Sequence, residues 1–93
     1  MKLKTFAIKD KALDAYGATF QQPTIEAGYR MFENVILYGD ENNRYKKNPE
    51  DYTLYFVGEY DDATGELINK ENIMLSSAIE VITKRSGDQE NVS

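Results

Sequence analysis

The stretch that most constrains this chain is YTLYFVGE at residues 52–59. Aromatic and β-branched residues dominate it, and they fit a pleated, half-buried surface. Alternation gives one face Tyr52, Leu54 and Phe56, with Gly58 and Tyr60 beyond. The other face takes Thr53, Tyr55, Val57 and Glu59. Residues 61–65, DDATG, have turn chemistry: aspartate opens the turn and Gly65 suits its left-handed position. Glu66 to Asn69 then begins a returning strand, so the segment reads as a β-hairpin.

The remaining residues supply its partners. KLKTFAIK at 2–9 is a first strand, with Thr5, Phe6 and Ile8 suited to a sheet and Asp10 ending the run. Apolar residues on both faces imply cover on part of each side. Residues 10–22 read as a loop with room for one helical turn, and Phe20 tucks back into the core. The strongest helix spans residues 24–38. Thr24 is its N-cap, and Glu26 lies where the helix dipole favours negative charge. Ile25, Tyr29, Phe32 and Ile36 form one apolar stripe, widened by Val35. Gly28 costs this helix about 1 kcal/mol against alanine, which points to close packing on the sheet. Gly39 is a C-terminal stop. Residues 40–50, DENNRYKKNPE, are a polar connection. Residues 72–84 support two readings. One is a helix capped by Asn72 and carrying Leu75, Ala78, Ile79 and Ile82; the other is a strand across 79–83.

These elements define a single α+β domain over residues 1–85, followed by a polar tail at 86–93. Its small antiparallel sheet consists of strand 1 plus the β-hairpin. One main helix packs on a face, and a short element closes the C-terminal end. Three strands leave open edges, which suits a homodimer formed by edge pairing.

Composition narrows the function. With 93 residues the core is small. The chain has no cysteine and no histidine, which removes thiolate zinc sites, the cysteine nucleophile and the usual general base. No apolar run approaches about 18 residues, and no signal-peptide pattern follows Lys2 and Lys4. Ser76 and Ser77 lack a histidine to activate them. Asp61, Asp62 and Glu66 do not match a calcium loop and read as a solvated turn. The expectation is a nonenzymatic protein without metal, cofactor or catalytic residues.

The formal charge is −5, against the basic excess of strong nonspecific nucleic-acid binders. The charges are segregated, however. Lys2, Lys4, Lys9 and Lys11 cluster near the start, Arg44, Lys46 and Lys47 form a second basic group, and residues 59–71 are acidic. Aromatics on an exposed sheet face stack on unpaired bases. Phe6, Tyr52 and Tyr55, with Lys2, Lys4, Arg44, Lys46 and Lys47 nearby, are therefore candidate contacts to single-stranded DNA. The competing reading puts half of these aromatics in the core beneath the helix. A second function class is a protein-interaction module whose acidic turn, Asp61, Asp62 and Glu66, steers toward a basic partner.

The segment PEDYTLYFVGEYDDATGEL, starting at Pro49, carries a resemblance. Together with Lys2 to Lys11, Phe20, Arg30, Phe32 and Ala78, it resembles the small nonstructural protein of gokushovirus-type microviruses, which are single-stranded-DNA bacteriophages. The resemblance implies a replication-associated, DNA-binding role in the host bacterial cytoplasm, with phage replication or capsid proteins as further partners. It brings no catalytic residues.

Overall fold

The computed structural model describes residues 1–38 and 44–84. Strands β1 (Lys2–Asp10), β2 (Ala15–Tyr16) and β3 (Phe20–Gln22) come first. Helix α1 (Ile25–Tyr38), the short helix α2 (Arg44–Lys47) and a 3-10 turn at Pro49–Asp51 follow. The hairpin of β4 (Tyr52–Asp61) and β5 (Glu66–Ser77) leads into α3, residues 78–84. The α+β class is as expected, and every strand pairing is antiparallel. The sheet order is β2-β1-β4-β5, with β3 also on β1.

Three local features depart from the sequence reading. Residues 10–22 contain two short strands rather than a loop with a helical turn. Asp10 Oδ1 accepts hydrogen bonds from the amides of Ala12 and Leu13, which reverses the chain. The return then pairs with β1 twice, at Lys9–Tyr16 and at Phe6–Phe20. Secondly, the ambiguous stretch 72–84 is neither wholly helix nor a strand at 79–83. β5 continues to Ser77, and Ser77 Oγ, not Asn72, caps α3 by accepting from the Glu80 amide at 3.1 Å. Thirdly, the polar connection contains α2 and the 3-10 turn. The Gly39 stop and the 86–93 tail lie outside the described residues.

Helix α1 begins as its cap dictates: Thr24 Oγ1 accepts from the Ala27 amide at 3.1 Å. Its buried residues are Gly28, Phe32 and Ile36. They meet Phe6, Tyr52 and Leu54 of the sheet and Ala78 and Val81 of α3 in one apolar cluster. Gly28 lies directly over Phe6, whose ring occupies the space a β-carbon would need.

The hairpin runs on beyond this core, and ion pairs hold its tip. Glu59 is nearly buried, its side chain 16% exposed, and it takes Lys4 Nζ at 3.1 Å and Lys70 Nζ at 3.3 Å. The terminal ammonium pairs with Asp62 at 2.8 Å. Hydrogen bonds from Lys4 and Lys70 hold the Glu59 carboxyl below its ordinary value of 4.5. A depressed carboxyl stabilises the fold above its unfolded value and loses that contribution as pH falls through the folded one. Thermal unfolding is therefore expected to show a steeper loss of Tm below about pH 4.5 in the native protein than in Glu59→Gln. Identical pH profiles would remove Glu59 from the stability account.

Candidate functional site

The sheet has two unlike faces. Directly paired residues share a face, so the register sorts the side chains. The helix-covered face carries Phe6, Ile8, Tyr52, Leu54 and Phe56. The other face carries Lys9 and Ala7 of β1, Tyr16 of β2, Tyr55 and Tyr60 of β4, and Leu67 and Met74 of β5. Among the described residues no helix covers that second face.

A β-bulge corrects the simple alternation of β4. Thr5 pairs with Gly58 and Phe6 with Phe56, so Val57 is an extra residue in β4. The extra residue reverses the parity beyond it. Gly58 and Tyr60 join Tyr55 on the helix-free face, while Glu59 moves to the side of Phe56, facing Lys4.

The centre of the helix-free face is a tyrosine pair. Tyr16 and Tyr55 meet edge to face with centroids 5.4 Å apart and planes at 76°. Lys9 Nζ sits 5.4 Å from the Tyr16 ring centroid and 3.4 Å from Asp14 Oδ1. A hydrogen bond to Asp14 raises the Lys9 pKa, so the group is cationic at neutral pH. Exposed pairs of this kind contribute little, so Lys9 can exchange Asp14 for another anion at small cost. Tyr60 extends the same face toward the tip, beside Leu67.

The residues singled out from sequence do not all converge. Phe6 is 0% exposed, stacked on Phe20 at 5.4 Å and edge-on to Phe56 at 6.1 Å, so it is a core residue and offers no ring to a base. Tyr52 is 7% exposed and packs edge-on to Tyr45 at 4.7 Å; burial raises its phenol pKa. Both belong to the competing reading, because alternation places them with Leu54 under the helix. Lys4 is held by Glu59, and Lys2 lies across from Asp61, at the far end of the sheet from Arg44. Asp61 Oδ1 accepts from the Ala63 amide within the turn, Asp62 holds the terminal ammonium, and Glu66 pairs across from Asp61.

Tyr55 is where the sequence placed it, on the face opposite Tyr52. Arg44, Lys46 and Lys47 are exposed on α2. Arg44 hydrogen-bonds the Tyr45 hydroxyl at 3.3 Å and lies over that ring, a contact that raises its pKa. α2 lies at the same end of the sheet as the tyrosine pair but on the covered side, where Arg44 and Tyr45 line a cavity of about 340 Å³ with Ile8, Phe32 and Tyr52. Lys9 and Tyr16 are not among the sequence candidates, and Tyr60 lies on the opposite face from the one simple alternation gives it. Period-two alternation from Tyr55 would have found Lys9 and Tyr16 had the return strand been recognised, whereas Tyr60 needed the bulge.

No helix among the described residues is long and apolar enough to cross a membrane. Comparison with curated proteins and with solved structures finds no match. A family described as Phage ORF5 protein matches residues 3–81, nearly the whole folded region. That span includes the tyrosine pair and all of the sheet but Lys2, and the chain belongs to the Phage ORF5 protein family.

Proposed function

We propose that this phage protein binds single-stranded DNA through the helix-free face of its sheet. It acts without enzymatic chemistry in viral genome replication or packaging, in the host bacterial cytoplasm. The observation that carries this reading is the surface tyrosine pair, Tyr16 and Tyr55, with Lys9 beside it. Every base has a π-face, so such rings bind unpaired nucleotides with little sequence preference. Duplex DNA hides those faces in its own stack. Lys9, Arg44, Lys46 and Lys47 lie toward one end of the sheet and supply phosphate contacts. The resemblance to single-stranded-DNA phage proteins supports this class of ligand, and the family match supports a phage protein.

Tyr55→Ala tests the face. Its expected effect is a loss of about 1–3 kcal/mol in affinity for a labelled single-stranded oligonucleotide, with the fold retained by circular dichroism. Tyr38→Ala is the control, because Tyr38 is an exposed aromatic on α1, an element that is not part of the tyrosine face. Equal losses in both variants, or none in Tyr55→Ala, would remove the tyrosine pair from the site.

A further inference from the structure

β5 is 12 residues long and ends the strand order, and among the described residues nothing pairs its outer edge. An open edge is a template for another strand. This one also exposes apolar side chains: Leu67 is 51%, Ile73 50% and Met74 57% exposed.

The edge sequence LINKENIM, residues 67–74, is a chemical palindrome. Outward from its centre, Lys70 mirrors Glu71, Asn69 mirrors Asn72, Ile68 mirrors Ile73, and Leu67 mirrors Met74. Two antiparallel copies centred there would set each residue against its like or its complement.

The faces agree with this register. About a twofold axis perpendicular to the sheet, paired residues must lie on the same face. A regular strand would put Leu67 and Met74 on opposite faces. The irregularity between Asn69 and Ile73, set against Gly58 and Phe56, reverses that parity. Leu67 therefore lies beside Tyr60 and Met74 beside Tyr55, both on the helix-free face. Ile68 lies beside Glu59 and Ile73 beside Phe56, both on the covered face.

We propose that the protein forms a homodimer by antiparallel pairing of β5 with β5 of a second copy, centred between Lys70 and Glu71. Each Lys70 then faces a Glu71, giving two opposite-charge pairs at the axis. Leu67 packs on Met74 across the junction, and Ile68 on Ile73. The two sheets become one, with all helices on one side and both tyrosine faces on the other. The dimer does not depend on the DNA reading.

Sedimentation velocity on the full chain, from about 1 µM to about 1 mM, tests it. Lys70→Glu or Glu71→Lys alone places like charges across the axis twice, and each is expected to weaken dimerisation at least about tenfold. The double swap restores it, and an equimolar mixture of the two single variants forms mixed dimers. Glu71 is exposed and Glu71→Lys leaves the Glu59–Lys70 ion pair in place, so it keeps the native circular dichroism spectrum; Lys70→Glu also removes that ion pair, so its Tm is measured beside its sedimentation. Register is read by cross-linking, without background because the chain has no cysteine. A mixture of Asn69→Cys and Asn72→Cys chains forms a disulfide-linked dimer faster than either alone. A monomer throughout the concentration range, or a dimer indifferent to the single charge reversals, overturns the proposal.

Discussion

Phe6→Ala is expected to destabilise the protein by about 3–5 kcal/mol, the usual cost of emptying a buried phenylalanine site. Phe6 is wholly buried between sheet and helix, touching Phe20 and Phe56 and lying beneath Gly28. The cavity cannot close easily. α1 already approaches as near as a glycine allows, and the facing rings are fixed in their own contacts. Domains of this size are stable by only about 5–14 kcal/mol, so the variant loses about a fifth or more of its margin. Urea titration should show the loss as a fall in midpoint at unchanged slope. At about 4–8 °C per kcal/mol, Tm should fall by more than about 12 °C. A Phe6→Ala variant within about 1 kcal/mol of native, with weakened DNA affinity, would return Phe6 to the binding surface and break the packing account.

Gly58→Ala is expected to cost about 2–3 kcal/mol, a typical penalty for overpacking. A β-carbon there would overlap the carbonyl oxygen of Ile68 on the neighbouring strand. That oxygen is backbone, so relief requires β4 and β5 to separate next to the bulge. Gly28→Ala is a useful contrast. Its β-carbon would strike the Phe6 ring, but alanine also gains about 1 kcal/mol of helix propensity. The wholly buried Phe6 ring must shift to admit that carbon, and the propensity gain offsets only part of the cost. Equilibrium unfolding measures both, and amide exchange in the hairpin tip should accelerate only in Gly58→Ala. A change below about 0.5 kcal/mol at Gly58 would show that the strands are not held at the observed separation.

What the sequence disclosed follows the strength of local signals. The hairpin, the first strand and α1 carry dense periodicity, a cap and a turn, and each formed as read. Gly28 was an irregularity in a good helix, and close approach to Phe6 explains it. The short strands at Ala15–Tyr16 and Phe20–Gln22 carry too few residues for a period, and only pairing with β1 makes them strands. The end of β5 depends on Ser77, whose hydroxyl caps a helix that propensity places less well. Half of the candidate site was legible. Tyr55 and the basic residues of α2 were read from alternation and charge, whereas Phe6 and Tyr52 required knowing which face the helix covers. The bulge at Val57 decided the rest, because one extra residue carries Tyr60 to the open face and Glu59 to the covered one.

The most direct test of the central claim is fluorescence anisotropy of a labelled single-stranded oligonucleotide and of its duplex with the native protein. The account predicts that the single strand binds more tightly. It also predicts a shallow salt dependence, because four cations, Lys9, Arg44, Lys46 and Lys47, contact the phosphates in this reading. Three or four such contacts to a single strand give about a twentyfold to fiftyfold weakening between about 50 and about 200 mM salt. Absence of binding to either form at low salt, or tighter binding to the duplex, would contradict it and shift attention to a basic protein partner for Asp61, Asp62 and Glu66.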